Sequence, residues 1–166
     1  MGSRFTAIAT VIGIGFSLFP APGQEPNPSV ANQLSALLKE YSKVSGSVRT
    51  AGTDGERKQI VEKLVQFPGR FFDLADRNPG HPLALKALRD GIQALNTADS
   101  AALNVSHINT ADFPSGCEGH LAGRAIEILR RDHLENEALG NVCDRMRYGY
   151  RLEYEGFLRT VLETSV

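Results

Sequence analysis

The chain has 166 residues, of which 42% are hydrophobic and 7% aromatic, and it contains no tryptophan. Lys and Arg number 18 against 19 Asp and Glu, and this balance argues against nucleic acid or an anionic membrane surface as a partner. A core built mainly from Leu, Ile, Val and Ala suits helices, and the length corresponds to one domain.

Residues 1–23 have the pattern of a cleaved export signal. Arg4 provides the positive charge, Phe5 to Phe19 is an apolar run, and small residues surround the expected cleavage site at 21–23. A membrane anchor would need about 20 apolar residues, and this run is shorter and ends at Pro20. We therefore predict an exported protein, periplasmic or extracellular, without membrane insertion after cleavage. An uncleaved anchor is the alternative.

The polar linker 24–29 is followed by a predicted single helical domain at 30–166. The first helix has apolar residues at spacings of three and four, and it ends at Gly46: Val30, Leu34, Leu37, Leu38, Tyr41 and Val44. A capping box of Thr53 and Glu56 opens the second helix. Its apolar stripe is Ile60, Val61, Leu64 and Val65.

Two further helices are separated by a turn at residues 78–80. Pro68-Gly69 interrupts the chain before a short helix with Phe71, Phe72, Leu74 and Ala75. Pro82 then opens a longer helix with Leu83, Leu85, Leu88, Ile92 and Leu95. From Asn96 to Gly116 the apolar spacing fails, which predicts a long loop at 96–116, interpreted as a mobile insertion in preference to a functional loop.

Three short helical patterns complete the chain. A capping box of Ser115 and Glu118 opens the first, and Asn136 is predicted to cap the second. The predicted buried sides are Leu121, Ala125, Ile128 and Leu129, then Leu139, Val142, Cys143 and Met146, then Tyr154, Phe157, Leu158, Val161 and Leu162. No alternating run long enough for a strand is found, so the predicted fold is all-α, made of stacked short helical hairpins as in helical repeats or a small bundle.

The two cysteines are too far apart in sequence for a CxxC redox motif. In an exported protein, Cys117 and Cys143 are a candidate disulfide. Two separate thiols, with Cys143 as a small core residue, are the preferred interpretation.

A metal site could be assembled from Cys117, His120, His133 and Cys143, but only the first pair has the spacing of zinc ligands. His133 follows Asp132 at a predicted helix C-terminus, where the helix dipole favours a partly positive imidazole. We therefore predict no metal, no cofactor and no catalytic residue. The carboxylates near Arg130 and Arg131 are typical of a solvated helix face.

Three segments carry a resemblance to a known family: residues 71–88 (FFDLADRNPGHPLALKAL), 125–146 (AIEILRRDHLENEALGNVCDRM) and 155–165 (EGFLRTVLETS). Together they resemble the helical N-terminal region of exported redoxin-domain proteins from planctomycete-type bacteria. In that family, more helix and a thioredoxin-like domain of the peroxiredoxin and TlpA type follow, whereas this sequence ends at Val166. The resemblance implies an accessory helical module and is compatible with a truncated or shortened gene, and it provides no redox residues to carry over.

The leading hypothesis is an exported, non-catalytic helical module for protein–protein interaction or packing, resembling the accessory region of a thiol-disulfide oxidoreductase. Its partner would be another protein or a second copy. The alternatives are envelope thiol chemistry through Cys117 or Cys143, and metal binding. The apolar last helix has no polar helix after it in the sequence, which predicts dimerisation or a frayed C-terminal helix.

Overall fold

The computed structural model describes residues 29–104, 119–149 and 151–164. Every regular element in these ranges is an α-helix, which confirms the all-α class. The helices are α1 Val30–Ser47, α2 Asp54–Leu64, α3 Phe67–Asp76, α4 Pro82–Leu103, α5 Gly119–Asp132, α6 Leu139–Met146 and α7 Leu152–Thr164. The predicted export signal, Cys117 and the capping pair Ser115 and Glu118 lie outside the described residues.

Side-chain caps define where the first two helices begin. The Ser29 hydroxyl accepts a hydrogen bond from the Asn32 N–H at the start of α1. At the start of α2, Thr53 Oγ1 accepts from the Glu56 N–H at 3.2 Å, and Glu56 Oε2 accepts from the Thr53 N–H at 3.0 Å. The predicted capping box is therefore confirmed, and it satisfies backbone donors that a helix end leaves unpaired.

The break predicted at Pro68-Gly69 occurs slightly earlier, at residues 65–66. Pro68 lies in the first turn of α3, where its missing N–H costs no helical hydrogen bond. The turn predicted at residues 78–80 is confirmed, and Gly80 adopts a φ of 72° there, a conformation that favours glycine. This turn reverses the chain, so that α4 packs back along α3.

The loop predicted from Asn96 to Gly116 is wrong for residues 96–103, which form the last turns of α4. Alanine is the best helix former, and the alanines of this stretch are buried against α2: Ala98, Ala101 and Ala102. The hydroxyls of Thr97 and Ser100 donate to backbone carbonyls one turn earlier, at 2.9 Å and 2.8 Å. The polar residues whose spacing predicted a loop at 96–103 therefore lie on a helix. Residues 105–118 lie outside the described ranges.

The main core lies between α1, α3, α4 and α5, with α6 and α7 packed around it. Phe71 and Phe72 of α3 are completely buried against α4, and Gly91 allows the close approach. A Cβ atom at Gly91 would lie 2.5 Å from Phe72 Cε1 and 2.9 Å from Phe71 Cβ. Helices α3 and α4 thus meet at a position where only glycine fits without a shift of the neighbouring side chains.

The predicted buried side of α5 is confirmed for all four residues. Asn136 does not cap α6 directly, because the helix begins at Leu139 with Ala138 as the flanking residue. The Asn136 side chain instead accepts from the Ala138 N–H at 2.9 Å and forms the turn that precedes the helix. Helix α7 packs chiefly against α5.

Candidate functional site

The candidate redox residue Cys143 lies on α6 and is half-buried beside the core rather than enclosed in it. Burial raises the pKa of the Cys143 thiol, which lowers the fraction of reactive thiolate near neutral pH. Within the described residues Cys143 is a free thiol. Because Cys117 lies outside those residues, the choice between a disulfide and two separate thiols stays open, with separate thiols as the prediction.

The structure separates the described members of the candidate metal set. His120 is exposed in the first turn of α5, whereas His133 is buried just after the end of that helix. In the described ranges, no group of three or more His, Cys, Asp or Glu side chains could hold a metal ion. Cys117, the remaining member of the set, is not among these residues.

The prediction that the His133 imidazole is partly positive is wrong. Burial lowers the pKa of His133, and the nearby Asp132 carboxylate opposes this effect only in part. Nε2 of His133 is buried and has no hydrogen-bond partner within the described part of the chain. Burial therefore favours the neutral imidazole over the partly positive form expected from the position of His133 after a helix.

The arginines of α5 link that helix to α3. Arg124 contacts Asp73 at 2.8 Å and Asp76 at 3.2 Å, and Arg131 contacts Asp76 at 2.9 Å. Hydrogen bonds from the two arginines lower the pKa of Asp76. These groups are partly or largely exposed, so they orient α5 on α3 more than they stabilise it.

The outer side of α7 leaves long apolar side chains exposed. Leu152 is 83% exposed and Leu162 is 70% exposed, although long apolar side chains on a packed helix are usually turned inward. Glu155 and Arg159 lie on the same side, and their side chains form an ion pair of 2.7 Å. We call these four residues, Leu152, Glu155, Arg159 and Leu162, the α7 stripe.

A groove of about 440 Å³ runs beside the α7 stripe, between α7 and the turn from α6. All four stripe residues line it, and Met146, Leu158 and Tyr154 contribute further apolar surface. Tyr148 lies in the same turn and is 60% exposed, with the Arg147 guanidinium 5.5 Å from its ring centre. A second groove, of about 710 Å³, lies between α5 and α7 on the other side of Leu152. Such an arrangement suits the contact of an apolar helix better than the binding of a small polar molecule.

The inner side of α7 is held firmly. Tyr154 and Phe157 are almost completely buried in the core, and Arg151 at the start of the helix contacts Asp99 of α4 at 2.6 Å. The Asn96 amide donates to the Arg145 carbonyl at 3.0 Å and ties α4 to the end of α6. Burial raises the pKa of Tyr154 well above its usual value, so the phenol stays neutral. The α7 stripe thus lies on the outer side of a helix whose inner side is packed against the core.

The α7 stripe is not evident from the sequence, and the prediction that Leu162 lies on the buried side is wrong. The structure places Tyr154, Phe157, Leu158 and Val161 inward, and Leu162 lies beyond the edge of that face. The available signal was the spacing of the stripe: three, four and three residues, which is a heptad pattern separate from the buried one.

In the described ranges, no helix is both long and apolar enough to cross a membrane. Comparisons of the chain with models of protein families, with curated proteins and with solved structures find no match.

Proposed function

We propose that the chain is a non-catalytic helical module for protein–protein interaction, and that the α7 stripe and its groove form the contact surface. One observation carries this proposal: Leu152 and Leu162 are mostly exposed on a helix whose opposite face is buried. Burying two leucine side chains at an interface would contribute about 1.5–3 kcal/mol each before the costs of association.

The geometry favours interaction over thiol chemistry. A redox cysteine is normally accessible and has a lowered pKa, whereas Cys143 is half-buried and burial raises its pKa. Export, and a role beside a thiol-disulfide oxidoreductase, belong to the same proposal. They rest on the signal-like residues 1–23 and on the three family-like segments.

A site-specific photo-cross-linking experiment tests the contact surface. A photoreactive amino acid replaces Leu162 in the protein produced in its host, and a matched variant carries it at Lys58, which is exposed on α2. We expect a discrete cross-linked protein product from position 162 and none from position 58. Equal yields of diffuse products from both positions would contradict the proposed surface.

An activity measurement tests the non-catalytic part of the proposal. Purified protein is assayed for the reduction of insulin disulfides, together with its Cys143→Ser variant. We expect no turnover from either protein. Turnover that disappears in the Cys143→Ser variant would instead establish thiol chemistry as the function.

A further inference from the structure

The α7 stripe is symmetric in its chemistry. Read along the helix, it is apolar, acidic, basic and apolar, with spacings of three, four and three residues. The midpoint between Leu152 and Leu162 is position 157, and the midpoint between Glu155 and Arg159 is the same position. A two-fold axis through that level would exchange the members of each pair.

From this symmetry we infer that the α7 stripe docks against the α7 stripe of a second copy, with the two helices antiparallel. In that arrangement Leu152 of each copy contacts Leu162 of the other, and Glu155 of each copy lies opposite Arg159 of the other. Each subunit uses the same patch, as an interface with two-fold symmetry requires. This inference rests on the proposed interaction function and names its partner.

Charge determines the direction of the two helices. A parallel pair would place Glu155 opposite Glu155 and Arg159 opposite Arg159, and like charges facing each other oppose association. The antiparallel pair replaces both repulsions with attractions. In a single subunit Glu155 and Arg159 already pair across one helical turn, and both side chains are more than half exposed, so a second copy can share them.

The room around the middle of α7 also favours contact between the two α7 helices. Gly156 is one residue from the level of the two-fold axis, on the side of the stripe that borders the groove between α5 and α7, and a Cβ atom there would meet nothing within 4 Å. The missing side chain leaves room beside the stripe for the side chains of an approaching helix. Because one helix pair buries less surface than a permanent complex, the dimer should depend on protein concentration.

Charge reversal provides the test, by sedimentation of the purified protein over a wide range of concentrations. The E155R variant carries two basic residues on the stripe, and the R159E variant carries two acidic ones. We expect each variant alone to dimerise about tenfold more weakly than the original protein, because both cross-pairs become repulsive. An equimolar mixture of the two variants should form a heterodimer, and the E155R/R159E double variant should regain self-association.

Three further measurements accompany this test. Circular dichroism should show unchanged helix content in both single variants, because the substituted side chains are exposed. The photoreactive residue at position 162 should cross-link to the segment around Leu152 of a second copy, which reports the antiparallel direction. A Glu62→Arg variant, at an exposed position of α2, should dimerise like the original protein.

The outcomes separate this inference from the proposed function. If the original protein stays monomeric while position 162 cross-links to a different protein, the dimer is wrong and the interaction function stands. If the protein dimerises but neither reversal weakens it, the α7 stripe is not the interface between copies. If position 162 yields no product and the protein stays monomeric, both proposals fail.

Discussion

The contact between α3 and α4 differs in kind from the attachment of α7. Phe71 and Phe72 are buried completely against α4, and Gly91 brings the two helices so close that no side chain fits between them. Helix α7 buries Tyr154 and Phe157 but leaves leucines on its outer side exposed to water. One region therefore buries its apolar surface within the chain, and the other leaves part of its apolar surface open to water.

This difference between the two regions has consequences for the free energy of unfolding and for amide hydrogen exchange. A contact enclosed on all sides transmits a local defect to the whole core, because well-packed interiors relax only partly. A helix held on one side can open by itself at a lower free energy than global unfolding. Substitutions in α3 and α4 should therefore unfold the domain, whereas substitutions in α7 should first release α7.

The largest expected effect follows Phe72→Ala in α3. The change removes a completely buried ring and leaves a cavity, which should lower the free energy of unfolding by about 3–5 kcal/mol. Chemical denaturation measures the loss. Phe157→Ala in α7 is the matched control, and amide exchange should rise in α7 there while α3 and α4 stay protected. Equal exchange throughout the Phe157→Ala variant would mean that α7 belongs to the same cooperative unit as α3.

A single methyl group at position 91 should disturb the close packing of α4 on α3. In Gly91→Ala, the new Cβ atom would overlap the Phe72 ring, so we expect a net loss of about 1–2 kcal/mol despite the better helix propensity of alanine. Gly123→Ala in α5 is the control, since its Cβ atom meets nothing within 4 Å and the substitution should stabilise by about 0.5–1 kcal/mol. Thermal unfolding of both variants compares the two glycines. A stabilised Gly91→Ala variant would show that the α3–α4 contact is looser than described.

The ion pair between Arg151 and Asp99 attaches the start of α7 to α4, so breaking it tests whether α7 opens separately from the rest of the domain. Arg151→Met keeps much of the side-chain volume but leaves the partly buried Asp99 without this partner, at a cost of about 1–2 kcal/mol. Hydrogen exchange should show earlier opening of α7 and little change in α3. The surface pair of Arg57 and Asp54 is the control, and Arg57→Met should change neither helix measurably. Loss of protection across the whole domain would contradict a separately opening α7.

Much of the fold could be predicted because its signals are local. The Thr53 capping box, Pro82 at a helix start and the turn at residues 78–80 depend on a few neighbouring residues. The extension of α4 to Leu103 could not be read from apolar spacing, since its buried residues are alanines that bury too little surface to form a clear stripe. Their burial depends on α2, which is distant in sequence.

The site was harder to predict than the fold. Burial of His133 depends on how the α5–α6 turn sits on the core, so its lowered pKa could not be inferred from its position after a helix. Likewise, whether Leu162 faces the core depends on which side of α7 meets α5. A stripe of two leucines gives the same sequence pattern whether a neighbouring helix or a second molecule covers it.

His133 predicts a specific pH dependence. Because burial lowers its pKa in the folded state below the unfolded value of about 6.5, the unfolded chain binds the extra proton first as pH falls. Stability should be unaffected above that value and should decrease as pH falls through it, by at most about 1.4 kcal/mol per pH unit. Denaturation between pH 7 and pH 5 measures this slope, and His133→Leu should remove it. The carboxyls with lowered pKa values lose their stabilising effect mainly below about pH 5, which is outside the measured range: Glu40, Glu56, Asp76 and Asp132. An unchanged slope in His133→Leu would assign the effect to another group.

The smallest effect is expected at Cys143, on the side of α6 that borders the core. Since the thiol is half-buried, Cys143→Ser should cost less than about 1 kcal/mol, below the loss expected for a fully enclosed cysteine. The raised pKa leaves little thiolate at neutral pH, so alkylation should be slower in the folded protein than in denaturant and should accelerate as pH rises above 8.5. Peptide-resolved mass spectrometry follows Cys143 separately from Cys117. Alkylation as fast in the folded as in the unfolded protein would place Cys143 on an open surface, and α6 would then resemble the outer side of α7 more than the α3–α4 contact.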